Sequence, residues 1–178
     1  MLTQLSTVKA RLGIEEFDVQ YDGILTNAIK VVSARFDKEC NRTLARTADA
    51  VEEFDAEEKE IVVGCFPIEA VSGFELKSNE TEGWVEQTGV EFLVRRGCVI
   101  SLAARMGGSG QIARVAYTGG YVLPGTTPGA GQAALPDDLE QAAVEQIAAW
   151  FQSRDKLGLV SIGPRAECMK NSCSRSCC

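Results

Sequence analysis

Between Leu135 and Asp155 apolar residues recur at helical spacing, and whatever this chain folds into must give that helix a surface to lie on. Leu139, Ala143, Ile147 and the pair Trp150-Phe151 fall on one stripe, the pattern of a helix with one buried face. The alanines keep the stripe narrow enough for a close neighbour, while Trp150 and Phe151 supply the bulk near its end. At the start, Asp137 is placed to accept from the amide of Glu140, and Glu140 to reach back, an aspartate form of the capping box.

Two more helices are expected at the other end of the chain. Leu5, Val8 and Leu12 sit at i, i+3 and i+7, behind a Thr3 or Ser6 cap and ahead of a glycine stop at Gly13. A longer helix, capped by Asp18, runs to about Cys40, with Tyr21, Leu25, Ile29, Val32, Phe36 and Cys40 on its core face. Gly23 inside it costs about 1 kcal/mol relative to alanine.

After Leu44 the period changes from 3.6 to 2. Seven short runs separated by turn residues begin near Val51, Glu60, Val71, Trp84, Val90, Cys98 and Gln111. In the last two, Cys98, Ile100 and Leu102, then Ala113, Val115 and Tyr117, alternate with their neighbours, as strands with one covered face do. The fold class is therefore α+β: helices from both chain ends pack together, with an antiparallel β-sheet or sandwich lobe inserted between them. The helical parts cover about 1–44 and 135–156, the β lobe about 50–118, and one domain about 1–164. A Cys-rich tail, 165–178, follows. The Gly- and Pro-rich stretch from Gly119 to Gln132 has no room for a regular element, and a connection this long is usually functional or disordered.

Composition narrows the function. With 178 residues, one domain is expected, burying roughly 70% of its unfolded surface. A net charge of -7 argues against general nucleic-acid or anionic-membrane binding, which need a basic surface. No apolar run approaches the roughly 20 residues of a membrane span, and Met1-Leu2-Thr3-Gln4 lacks a basic, apolar leader, so neither membrane insertion nor secretion is expected. Histidine is absent. That removes the commonest general base, the usual partner of a Ser or Cys nucleophile and the commonest nitrogen ligand of zinc.

Seven cysteines are the other outlier. Cys40, Cys65 and Cys98 lie in or beside apolar periodic segments, where a free thiol behaves as a small hydrophobe. Cys168, Cys173, Cys177 and Cys178 crowd the tail. They are weak metal candidates, because the spacing lacks paired C-x-x-C knuckles; inter-subunit disulfides in an oxidising medium or an incidental exposed tail are the other readings. The acidic run Asp49, Glu52, Glu53, Asp55, Glu57, Glu58 and Glu60 surrounds an expected hairpin and reads as a solvated strand edge discouraging edge-to-edge pairing, with paired catalytic carboxylates as the sharper alternative. Arg105 to Gly110 lacks the Lys-Ser/Thr ending and following helix of a phosphate cradle and reads as a hairpin tip. Arg95-Arg96-Gly97 reads as a turn, and Asp137, Asp138 and Glu140 serve the helix dipole. No catalytic constellation emerges; no enzyme activity and no cofactor are expected.

The order of motifs is more telling than any one of them. Val8-Lys9-Ala10-Arg11-Leu12-Gly13-Ile14 closes a short helix, and Phe36-Asp37-Lys38-Glu39-Cys40-Asn41-Arg42-Thr43-Leu44 closes a long one. Phe66-Pro67-Ile68-Glu69-Ala70-Val71 lies in the strand block, then come Val115-Ala116-Tyr117-Thr118-Gly119-Gly120-Tyr121, Leu135-Pro136-Asp137-Asp138-Leu139, and Trp150-Phe151 followed by Arg154-Asp155-Lys156-Leu157-Gly158-Leu159-Val160-Ser161-Ile162-Gly163. Over roughly residues 1 to 164, this arrangement resembles the head-tail connector (head-completion adaptor) proteins of long-tailed bacteriophages. The Cys-rich tail departs from that pattern.

The resemblance implies a non-enzymatic virion protein in the neck, at the head-tail interface, assembled in the host cytoplasm. It implies partnership with copies of itself in a ring of about twelve, whose head-to-tail contacts close. The portal protein and a downstream neck or tail-terminator protein would be its neighbours, and DNA would pass through the extended channel without specific binding. By the same analogy Leu157, Leu159, Val160 and Ile162 are candidate contacts to the portal or a neighbouring subunit. Local core packing is the alternative for those four. A metal- or thiol-dependent binding protein working through the tail, or another neck or tail-completion protein of the same virion, are the competing functions.

Overall fold

The computed structural model of the protein describes residues 1–154. Helices α1 (Leu5–Leu12), α2 (Asp22–Glu39) and α3 (Asp137–Ser153) bracket strands β1 (Thr47–Asp55), β2 (Glu60–Val62), β3 (Ile68–Lys77), β4 (Trp84–Gln87), β5 (Phe92–Arg95), β6 (Val99–Leu102), β7 (Ile112–Gly119), β8 (Tyr121–Val122) and β9 (Ala133–Ala134). The α+β class, with helices from both ends around a central antiparallel lobe, is as the sequence pattern requires.

Two cores result. In the helical lobe, Val8 of α1, Leu25, Ile29 and Val32 of α2, and Ala143, Val144 and Ile147 of α3 close on Leu2, Leu44 and Leu135. The small Ala143 and Ala148 are buried in α3, and Phe151 meets Tyr21 edge-on with centroids 5.2 Å apart. Trp150 and Phe151 are only half-buried, so Val144 and Ile147 carry more of the core than the sequence pattern suggests.

The caps differ from expectation. Gln4, Tyr21 and Pro136 flank the three helices, none with a side-chain cap. Thr3 is buried and donates instead to Glu140 Oε1 at 3.1 Å, which spends both the proposed cap of α1 and the proposed back-bond of α3 on one tertiary contact. Asp18 Oδ1 accepts from the amide of Gln20 at 3.0 Å, a local Asx turn that delays α2 to Asp22. Asp137, Asp138 and Glu140 do lie in the first turn of α3, where the helix dipole favours them. Gly13 ends α1 in the left-handed region at φ 69°, as its position predicts.

A buried lysine fixes the α1–α2 connection. Lys9 is 4% exposed; its Nζ donates to the carbonyls of Glu16 and Asp18, each at 2.9 Å, and lies 2.6 Å from the Asp22 carboxylate. Two hydrogen bonds and an ion pair surround the ammonium, which is what makes a buried one tolerable.

In the β lobe, a four-stranded sheet of order β1-β7-β3-β4 faces a three-stranded sheet of order β2-β6-β5, all neighbours antiparallel. Central β7 alternates strictly, with Ala113, Val115 and Tyr117 buried. These three pack with Phe54, Phe74, Ile61, Ile100 and Leu102 into one core shared by both sheets. Both expected hairpins are corrected: β1 and β2 belong to different sheets, and the Arg105–Gly110 segment crosses from β6 in one sheet to β7 in the other. Alternation specifies which face a strand buries, whereas partner choice rests on the closed core. The Gly119–Gln132 stretch is also corrected, since Tyr121–Val122 pairs in parallel with Ala133–Ala134 and ties the loop between them at its base.

The two lobes join where three backbone segments cross. Gly120 N donates to Pro67 O at 2.9 Å, Tyr121 N to Leu44 O at 2.8 Å, Arg46 N to Tyr121 O at 2.8 Å, and Thr43 N to Gly64 O at 2.9 Å. Gly120 has φ 98°, and a Cβ there would lie 2.6 Å from the Ala45 carbonyl oxygen. Only glycine fits. Arg42 seals the crossing, donating to Phe66 O at 2.6 Å with its guanidinium 3.5 Å from the Phe66 ring centroid.

Gly120→Ala is expected to cost about 3 kcal/mol, combining left-handed strain with overpacking. Gly108→Ala, whose Cβ would enter open space, should stay within about 0.5 kcal/mol of the parent; equal denaturant midpoints for the two variants would contradict this account. Tyr117, buried in the β core, accepts from the amide of Cys65 at 3.0 Å, and burial raises its phenol above the ordinary value of 10.0. Its contribution is complete below that ordinary value and is lost as pH rises through the elevated one. Tyr117→Phe should therefore cost about 1–3 kcal/mol at neutral pH by orphaning the Cys65 amide, and flatten the fall in stability above pH ~10, both read from urea unfolding at a series of pH values.

Candidate interaction surfaces

No constellation of general base and nucleophile is assembled among the described residues, and no group of three or more Cys, Asp or Glu there could hold a metal ion. No described helix is long and apolar enough to cross a membrane. The features with functional content are the open edges of the two sheets and the exposed apolar residues beside them.

Strands β1 and β2 form one side of the β lobe, joined by the tight connection Ala56 to Lys59. This side carries the acidic run, but its members are separated. Glu52 Oε2 accepts from Gly64 N at 3.1 Å, and Asp55 Oδ1 accepts from Glu57 N at 3.0 Å. Glu57 lies 3.8 Å from Arg105, and Glu60 lies 3.3 Å from Arg95. Four of these carboxylates are spent on separate partners, and the geometry supports the reading as an edge charged against pairing with itself. β1 is protected further by a register irregularity between Thr47 and Ala50 and by the positive φ of Asp49, both standard means of spoiling an edge.

Strands β4 and β5 form the opposite side, joined through 88–91. Here β5 is unprotected: every residue of Phe92-Leu93-Val94-Arg95 is exposed, Leu93 at 66%, and its pairing with β6 runs without a bulge. Shallow grooves of about 310 and 260 Å³ flank the 88–91 link. Arg95-Arg96-Gly97 is the turn it was expected to be, with φ 53° at Arg96 and 69° at Gly97. Arg95 lies 3.3 Å from Glu60 of β2 on the same sheet.

The outer face of the four-stranded sheet is closed by charge. Glu53, Arg114, Glu75 and Glu86 stand in register across β1, β7, β3 and β4; Arg114 pairs with Glu75 and lies 4.3 Å from the Trp84 ring centroid. Arg46 and Glu69 form a second pair at 2.7 Å. Their hydrogen bond holds the Glu69 carboxyl below its ordinary range and raises the Arg46 guanidinium.

Of the three described cysteines, Cys65 is buried, with Sγ 3.1 Å from the Gly119 carbonyl oxygen, and Cys98 is half-buried. Cys40 is exposed at the C-terminus of α2, against the expectation of core packing; the helix ends there and its stripe rotates away from the core. Leu157, Leu159, Val160 and Ile162, and the tail thiols Cys168, Cys173, Cys177 and Cys178, lie outside the described residues.

No family model and no curated protein matches the sequence. Solved structures do match the fold. A chain titled as the neck of an empty gene transfer agent particle computed with C6 symmetry aligns with TM-score 0.60 and 14% identity, covering 92% of this chain and 84% of that one. A chain from the virion of a native gene transfer agent particle aligns with TM-score 0.56 and 16% identity, over 85% of this chain and 78% of that one. At these identities the likeness is one of fold.

The cysteine environments give a direct check. On brief treatment of the native protein with a maleimide and peptide mapping by mass spectrometry, Cys40 should label and Cys65 should stay protected until denaturant is added. Labelling of Cys65 at the rate of Cys40 would mean that the lobe junction opens far more readily than its packing implies.

Proposed function

We propose that this chain is a structural neck protein of a phage-like particle, and within the neck the adaptor ring between portal and tail. The observation that carries the reading is the shared architecture with chains of gene transfer agent particles, spanning both helical ends and the inserted β lobe at 92% of this chain's length. Motif order along the sequence points the same way independently. A neck with sixfold symmetry accommodates rings of six or twelve copies, and a ring needs two different surfaces per subunit that mate head to tail. The two sides of the β lobe differ in this manner, one acidic and one apolar with arginine.

In this role the protein works by shape and performs no catalysis. It completes the head and extends the DNA channel; its net charge of -7 lets packaged DNA pass without adhering, since like charge repels across a wet lumen. Leu157, Leu159, Val160 and Ile162 supply an apolar contact to the portal. The protein then belongs to the virion neck, with portal on one side and a downstream neck or tail-terminator protein on the other.

Mixing the purified chain with the portal of the same particle should give a complex by native mass measurement containing a closed ring of this chain. Serine at positions 157, 159, 160 and 162 should abolish co-migration while leaving the thermal unfolding midpoint within a few degrees of the parent. A parent chain that neither co-migrates with portal nor is found in necks of purified particles would overturn the assignment.

A further inference from the structure

We infer, resting on the neck-ring reading, that copies join through the two ends of the three-stranded sheet, β5 of one subunit lying against β2 of the next. Among the described residues the hydrogen-bond pattern leaves both edges free. Ala103 N donates to Glu91 O, and Leu102 N to Lys59 O and Val63 N to Cys98 O. Alternation from those anchors turns the backbone groups of Leu93 and Arg95 towards β6, and those of Phe92 and Val94 outwards. On the other side it turns Ile61 towards β6 and Glu60 and Val62 outwards.

The side chains suit each other as well. The β5 end offers Leu93, Val94, Arg95 and Arg96, all exposed. The β2 end offers Val62, 69% exposed, beside the exposed carboxylates of Glu57, Glu58 and Glu60. Apolar residues meet apolar ones, and Arg96 meets Glu58, since Arg95 is already paired with Glu60 and Glu57 with Arg105 within the subunit. With Glu91 and Lys59 included, the β5 end (Glu91, Arg95, Arg96) is net positive and the β2 end (Glu57, Glu58, Lys59, Glu60) is net negative, so like ends repel and charge favours the head-to-tail join.

Direction agrees too. Strands β2 and β5 are both antiparallel to β6 and hence parallel to each other. Rotation about an axis running along the strands carries β2 of the next copy beside β5 in parallel, and repeating the operation closes a ring. The occupant of the β5 edge is therefore a second copy of this chain.

Val94→Pro and Val62→Pro test this, because each removes an outward amide that the subunit does not use. Leu93→Lys and Val62→Lys repeat the test without altering the backbone, and unchanged circular dichroism and thermal midpoints identify the folded variants. Assembly is read by sedimentation and native mass, at millimolar protein and on the portal. The parent should form rings, and each single-edge variant should not. A mixture of one β5-blocked and one β2-blocked variant should stop at a one-to-one dimer through the intact pair of edges.

Rings from either class of variant, or a dimer of the β2-blocked chain with itself through β5, would overturn the edge assignment and leave the neck reading standing. A parent that assembles under neither condition would overturn both. Were β5 instead a seat for the portal, blocking it would abolish portal binding while rings still formed at millimolar protein, which also overturns the proposal.

Discussion

The fold depends on one place where three stretches of backbone pass within hydrogen-bonding distance without room for a side chain. At Gly119-Gly120 the last residues of β7 meet Ala45 on one side and Cys65 to Pro67 on the other. Strand β7 is an interior member of the four-stranded sheet, and the chain leaving it enters the helical core through Tyr121 and Leu123. Leu44 belongs to the helical core, while Cys65 and Tyr117 belong to the β core. Each backbone bond at the crossing contributes about 1 kcal/mol net, but losing the crossing would expose several partners at once. Two lobes that might have been beads on a string are thereby held as one body.

That rigidity matters for the surfaces. A sheet edge can serve as a joint only if its register and direction are held by something else, and here the shared β core does so. Tyr117 spans the lobe's depth to reach the Cys65 amide, Phe74 packs on Phe92 with centroids 5.4 Å apart, and Lys9 locks the helical connector. The subunit is stiff where it must be stiff. Its open features among the described residues include the two sides of the β lobe, the loop between β8 and β9, and the α1–α2 connector, where Phe17 and Val19 are exposed.

Much of this was legible in the sequence, and the rest was hidden for identifiable reasons. Stripes such as Leu25, Ile29 and Val32, and the alternation Ala113, Val115, Tyr117, gave element type and buried face, because burial imposes the period directly. Strands β1 to β7 overlap the seven expected runs, with β1 and β3 starting earlier, at Thr47 and Ile68. Caps were misread because Thr3 and Glu140, each a good local capper, are worth more to one another across the structure. Lys9 gave no signal, since a lysine at a helix end looks solvated until the connector folds over it. Sheet membership was hidden because a short turn joins strands in one sheet or in two with equal ease. The apolar edge Phe92-Leu93-Val94 reads in sequence as any buried strand; only the topology reveals that it lies at an end with one side uncovered.

An apolar edge left open is normally a hazard, since it invites uncontrolled pairing. Two properties contain that hazard here. The edge is short, four residues in β5 against three in β2, so one contact supplies few hydrogen bonds and little area and holds a pair together only at high protein concentration. Its proposed complement, β2, lies on the far side of the same sheet, so two copies meeting at random would satisfy one edge each and gain no closure. The proposed ring would change the balance, because each added copy held on a common platform would meet its neighbour at high effective concentration, and the final join would close two edges with no further loss of freedom. Weak, directional and self-complementary only around a circle, such edges would leave the free subunit soluble and reserve assembly for the site where the platform stands.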